Sequence, residues 1–217
     1  GFDAMRVLTY KHNNDPEKGS RPMSASASGF VPGSGAGALV LESLESALAR
    51  KATIYAEVLG GEVNSGGQRN GGTMTAPNSD AVQRCIKKAV ANAGINAIAI
   101  DAINGHLTAT IKDATEIENW KAGLNLKADE FPPINSLKSM VGHCLSIESV
   151  AAVLQIKEGF IFPNINCADL NEDIAALIPS DRIPQQLIKK DINIVAKASF
   201  GFGDVNACVI FKKYKNK

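Results

Sequence analysis

A chain of 217 residues, 45% hydrophobic and 21% charged, can bury a core of domain size, which excludes disorder over most of its length. Its 23 basic and 22 acidic residues leave a net charge of +1, so no overall field draws it to nucleic acid or an anionic membrane, and an acidic partner must be met by a local patch. The four cysteines, Cys85, Cys144, Cys167 and Cys208, form no CxxC pair, which argues against a zinc knuckle or a dense disulfide framework and for a reducing, cytoplasmic setting.

Taken in chain order, Gly1 to His12 reads as an amphipathic helix already under way, and the expectation is a piece of something longer. His12 to Ser28, rich in Asn, Ser and Pro, reads as a surface loop. Gly29 to Glu42 is a glycine-rich turn running into a β-branched and Leu stretch, followed by a helical pattern over Leu44 to Lys51. Ile54 to Leu59 predicts a strand, and the Gly, Asn, Ser and Thr of 64–78 predict a long loop of the kind that carries function. Asp80 is expected to cap a helix over Ala81 to Ala93, closed by a turn at Gly94. Ile98 to Ile103 predicts a buried strand, and Asp113 to Ala122 a helix with its acidic residues where the helix dipole favours them. Pro132 to Asn135 is expected as a short strand, Ser146 to Glu158 as an Ala- and Val-rich helix, and Ile192 to Ala198 with Asn206 to Lys212 as two strands. This alternation implies an α/β layered fold with sheets covered on both faces. No apolar run approaches the roughly 20 residues of a membrane helix.

Two of the three histidines, His106 and His143, directly follow a glycine near the end of an expected strand or loop. Glycine lets the backbone approach a ligand closely, and strand ends in α/β proteins are where side chains converge. Lys138, five residues before His143, strengthens the case for a joint site. Gly33-Ser-Gly-Ala-Gly37 has the composition of a phosphate loop but precedes a strand pattern rather than linking strand to helix, so a nucleotide role is not expected. Cys144 adjoins His143, yet adjacent residues seldom aim at one point, and it reads as packing.

Asn-Gly-His106-Leu-Thr-Ala-Thr110 resembles the Asn-Ala-His-Gly-Thr-x-Thr block of the β-ketoacyl-acyl carrier protein synthases, condensing enzymes of the thiolase superfamily. Ser136-Leu-Lys138-Ser-Met-Val-Gly-His143 resembles their Ser-x-Lys-Ser-x-x-Gly-His block, and Ser199-Phe-Gly-Phe-Gly203 with Asn206 resembles their Ser-Phe-Gly-Phe-Gly-Gly-Thr-Asn segment. Ser20-Arg-Pro22, Gly29-Phe-Val31 and Gly35-Ala-Gly37 through Glu42 are similar to the stretch linking the two halves of those synthases. The resemblance implies a thiolase-like layered α/β/α/β/α fold. Residues 1–79 would be the end of the first half with the linking segment, and 80–217 the C-terminal half.

It also implies roles. His106 and His143 would donate hydrogen bonds to the enolate left when malonyl thioester loses carbon dioxide, and Lys138 would order the pair. Phe200 would contribute its backbone N–H to an oxyanion hole and gate the acyl chain. Glu116 is expected to pair with Lys138, with Asp113 a weaker candidate that caps or begins its helix. Thr108 and Thr110 would contact the phosphopantetheine arm, with Gly201, Phe202 and Gly203 forming a mobile loop beside them. The implied activity is decarboxylative condensation of malonyl-acyl carrier protein with an acyl group, in fatty-acid or polyketide synthesis. No metal and no cofactor are expected beyond the phosphopantetheine that arrives on the acyl carrier protein. The expected partners are that carrier protein, the remaining N-terminal half, and a second synthase subunit in a homodimer or heterodimer; neither nucleic acid nor membrane is expected.

The sequence departs from the pattern in several places. The family's nucleophilic cysteine lies in the first half at a sharp turn into a helix, and none of the four cysteines here has that setting. Leu107 stands for the family's glycine, the proline after Thr110 is missing, and Asp204-Val205 replaces Gly-Thr. These changes motivate an alternative, a non-catalytic subunit of the chain-length-factor type that pairs with an active synthase. A thiolase acting on coenzyme A thioesters fits less well, because Cys208-Val-Ile210 is not the expected Cys-x-Gly.

Overall fold

The computed structural model describes residues 1–215. Its regular elements are α1 (Leu44–Ala49), β1 (Glu57–Ser65), α2 (Ser79–Asn92), β2 (Ala102–Asn104), α3 (Asp113–Leu124), β3 (Ile134–Asn135), α4 (Lys138–Val141), α5 (Leu145–Glu158), β4 (Phe160–Ile161), α6 (Glu172–Leu177), β5 (Ile188–Lys189), β6 (Ile194–Gly201) and β7 (Val205–Lys212). β1, β7, β6, β2 and β3 lie side by side in that order. β1 with β7 and β7 with β6 are antiparallel, whereas β6, β2 and β3 run parallel. β4 and β5 form a separate antiparallel pair.

Alternation along β6 builds the layers. Ile194, Ala196, Ala198 and Phe200 point to a core shared with Val82, Ile86, Ile117 and Trp120 of α2 and α3. Val195 points the other way, onto Ala152, Val153 and Ile156 of α5. The result is a helix–sheet–helix sandwich, with the sheet covered on both faces as expected. The parallel strands also set the position of the site. His106 lies just beyond the C-terminal end of β2, Lys138 and His143 beyond β3, and Phe200 near the end of β6, so one edge of the sheet gathers them.

Several expected boundaries move. Asn78, not Asp80, caps α2: its side-chain oxygen accepts the Ala81 N–H at 3.2 Å, and Asp80 sits in the first turn. The expected helix at Gly1 to His12 is instead a set of turns and one bridge from Leu8 to Phe30. Its apolar residues find tertiary partners rather than one helix face, Phe2 stacking on Phe202 and packing edge-on against Phe30. The expected strand at Ile98 to Ile103 shortens because the Asn96 side chain accepts the Ile98 N–H and winds Ala97–Ala99 into a 3-10 turn. β1 starts at Glu57 and runs to Ser65, because each residue pairing with β7 extends it into the expected loop. It lies before the expected boundary at residue 79, yet shares the sheet with β7.

Residues 34–42 belong to no helix or strand among the described residues, and Leu39, Val40 and Leu41 are exposed, Val40 to 90%. No helix among the described residues is long and apolar enough to cross a membrane.

Candidate active site

Two buried carboxylates shape the turn that carries His106. Glu116 on α3 accepts the N–H of His106 and of Leu107, each at 2.7 Å, and the Trp120 indole N–H at 3.2 Å. Asp113 accepts the N–H groups of Thr108, Ala109 and Thr110, and that of Met23 at 2.8 Å. Leu107 and Ala109 both have positive φ, 23° and 62°, which side-chain-bearing residues avoid at a cost of roughly 1–3 kcal/mol each. Five of these seven donors are the consecutive N–H groups of His106 to Thr110, and together they hold the backbone in that conformation. Glu116 is therefore not the partner of Lys138, and Asp113 does more than cap its helix. The first helical residues of α3 are spent organising the His106 turn.

His143 is fixed from the other side. Its N–H donates to the Val31 carbonyl at 2.7 Å, and its own carbonyl accepts the Gly33 N–H at 3.2 Å. A side chain at Gly33 would collide with the Val141 carbonyl, so this close crossing needs glycine. The Phe30 ring packs 4.7 Å from the His143 ring.

The two imidazoles meet nearly perpendicular, with ring centroids 5.5 Å apart. Both line a cavity of about 320 Å³, together with Phe30, Thr108, Thr110, Phe200, Gly201 and Phe202. Asp113 and Glu116 also border it, whereas Gly203 does not. A ring nitrogen lies about 1.2 Å from its centroid and donates across about 2.8 Å, so one oxygen about 4 Å from each centroid can accept from both rings. Two such bonds would meet at the oxygen at roughly 90°, within the broad angular range that a carbonyl-type oxygen accepts.

Lys138 is 1% exposed and lies against Glu148 of α5, whose side chain is fully buried. Lys197 of β6, 4% exposed, reaches the other carboxylate oxygen at 2.7 Å. Neither Glu148 nor Lys197 was expected from the motifs. Their signal in the sequence is a charge set among apolar neighbours.

Burial, the positive charges of Lys138 and Lys197, and His143 hold His106 well below the ordinary histidine value. Burial and Lys138 lower His143 as well. Both rings are therefore uncharged near neutral pH, each able to donate from one nitrogen. The His106 Nδ1 is buried without a hydrogen-bond partner among the described residues. Burial pulls Lys138 down to about 8 although Glu148 pulls the other way. Burial pushes Glu116 up to about 7 against the backbone N–H groups it accepts, and raises Asp113.

All four cysteines are free and buried. Burial pushes the thiols of Cys85, Cys167 and Cys208 upward, away from a nucleophile's range. Cys144 donates its thiol to the Gly35 carbonyl at 3.3 Å, a packing contact. The segment containing Gly33 and Gly35 packs on residues 141–147 rather than forming a nest at a helix N-terminus. No cluster of three metal-ligating side chains occurs among the described residues.

Comparison with known proteins then gives the following. Residues 55–168 match the family described as beta-ketoacyl synthase, C-terminal domain. The chain is 38% identical over 220 residues to 3-oxoacyl-acyl-carrier-protein synthase 2 of Rhizobium meliloti, covering 99% of this chain and 50% of that protein. Among solved structures, the ishigamide ketosynthase/chain length factor superposes with a TM-score of 0.84 at 34% identity, over 99% of this chain and 50% of that one. A type II PKS ketosynthase bound to the hexaketide, in complex with its acyl-carrier protein, gives 0.85 at 30% identity, over 98% of this chain and 52% of that one. The chain spans about half the length of the curated relatives it matches.

Proposed function

The chain belongs to the β-ketoacyl synthase family, has its thiolase-like fold and carries its C-terminal domain, and from that premise we propose that the whole protein is a β-ketoacyl-acyl carrier protein synthase. It joins a malonyl unit to an acyl group with loss of carbon dioxide. The single observation that carries this reading is the nearly perpendicular pair of imidazoles facing one cavity. When carbon dioxide leaves the malonyl thioester, the electron pair of the broken C–C bond moves toward the thioester oxygen. His106 and His143 donate to that oxygen and stabilise its developing charge more than they stabilise the starting carbonyl. The carbanion then attacks the acyl thioester held on a cysteine outside this chain, and the thiolate leaves.

Thr108, Thr110 and Phe202 line the approach to the histidines and would contact the phosphopantetheine arm, with Phe200 beside the reacting acyl group. The carrier protein delivers that arm, so no resident cofactor or metal is called for. A cytoplasmic dimer that includes the preceding half is the working form.

The test is carbon dioxide release from malonyl-acyl carrier protein by the full-length protein. Absence of release refutes the reading. The alternative, a chain-length-factor subunit, is favoured by Leu107, which is held at a φ of 23° that glycine would adopt without strain. That reading predicts no release by the protein alone and restored chain extension when an active synthase is added.

A further inference from the structure

Lys197 stands out as the lone charge in β6, whose sequence is otherwise Ile-Val-Ala before it and Ala-Ser-Phe-Gly after it. Strand alternation sends it to the α5 side with Val195, where its ammonium sits 2.7 Å from Glu148 Oε2 as an ion pair without hydrogen-bond alignment and donates its hydrogen bond to the Ala198 carbonyl. Lys138 occupies Glu148 Oε1. One fully buried carboxylate therefore faces two buried ammonium groups, and the cluster keeps one positive charge that nothing in direct contact cancels. An unpaired ammonium in this setting is expensive, and an aliphatic side chain of similar length would pack without that penalty. In the parallel pairing of β6 with β2, Lys197 is in register with Asn104, two residues before His106. The charged groups around the histidine pair are Asp113 and Glu116 from α3, Lys138 from α4, Glu148 from α5 and Lys197 from β6, with Arg6 and Lys112 also lining the shared cavity.

We infer that Lys197 is a positioning residue for the histidine pair, a tethered cation that occupies the second oxygen of Glu148 and leaves the cluster positive, so that both imidazoles stay uncharged. Without it, the Lys138–Glu148 pair is neutral as a unit, and the free carboxylate oxygen attracts a proton to the rings. The inference rests on the proposed role of those rings as neutral hydrogen-bond donors. The lowering of His106 by both lysines agrees with it.

The experiment titrates the His106 and His143 resonances of the full-length protein, labelled with 13C-histidine, in the wild type, Lys197→Met and Glu148→Gln. Lys197→Met should raise both midpoints by about one pH unit, the low end of what removing a nearby unit charge produces. Glu148→Gln leaves both ammonium groups without their carboxylate and should lower them. Lys197→Gln replaces Lys197→Met if the latter does not fold. Unmoved midpoints in the variant that folds, or shifts of the same sign for Lys197→Met and Glu148→Gln, overturn the inference; a role in packing alone changes yield or activity without moving the midpoints. Since the titration needs no turnover, it decides the role of Lys197 even where a wild-type protein that releases no carbon dioxide has already refuted the proposed activity.

Discussion

His143→Ala removes one of the two donors that the proposed mechanism places on a single oxygen. Centroids 5.5 Å apart and nearly perpendicular let both rings reach that oxygen at normal hydrogen-bond length, so each contributes a full charge-directed hydrogen bond in the transition state. Loss of one preorganised donor in a water-poor site costs roughly 2.7–4 kcal/mol, or about 10²–10³ in rate. The same substitution at His106 should cost a similar factor. The double variant should fall well short of the product, because one remaining donor already binds the enolate poorly. The assay is release of labelled carbon dioxide from malonyl-acyl carrier protein under saturating conditions, alongside binding of the unreacted thioester. We expect kcat to fall with little change in KM. A loss of less than about tenfold, or one confined to KM, would refute the argument that both rings serve one developing charge.

Glu116→Gln turns one acceptor oxygen into a donor facing the N–H groups of His106, Leu107 or Trp120; urea denaturation should show a loss of about 1–3 kcal/mol. Asp204→Ala frees the N–H groups of Gln68 and Asn78, and should make 66–78 the first segment cut in limited proteolysis while costing about 1–3 kcal/mol. The pH dependence of His106 follows from its depressed proton affinity: the unfolded chain takes up a proton as pH falls through 6.5, and the folded chain does not until lower pH. Burial of neutral His106 is therefore penalised progressively below pH 6.5 and not above it. The stability gap between wild type and His106→Asn should shrink by about 1 kcal/mol between pH 7.5 and 5.5, a comparison in which the opposite-signed titration of Glu116 cancels.

How much could be read in advance divides along physical lines. The helices at Ser79–Asn92 and Leu145–Glu158 and the final two strands were legible because their burial is periodic or continuous, and periodicity is a local property. The turns at Gly1 to His12 were not, because Phe2 answers to Phe30 and Phe202, partners 28 and 200 residues away that no local pattern reveals. In the site, glycine before each histidine and the three motif blocks pointed to residues that do meet around one cavity. The pairing of Lys138 went wrong because Glu116 was chosen by its place after the first histidine block, while its carboxylate was already committed to backbone donors. Glu148 and Lys197 sit in motifs' margins, and only their isolation among Val, Ala and Ile could have raised suspicion.

The turn joining the last two strands has a mechanical consequence. Asp204 binds Gln68 and Asn78 through its carboxylate and Gly66 through its carbonyl, while Gly203 donates to Met74. Thr75, Ala76 and Pro77 share the cavity rim with Gly201 and Phe202. The glycines around Phe202 are thus not a free hinge: the rim behaves as a door with two leaves latched together. On the proposed function, a bulky acyl chain entering here must either swing both leaves as one body or break the latch, and the temperature dependence of its admission should carry the signature of several hydrogen bonds lost at once.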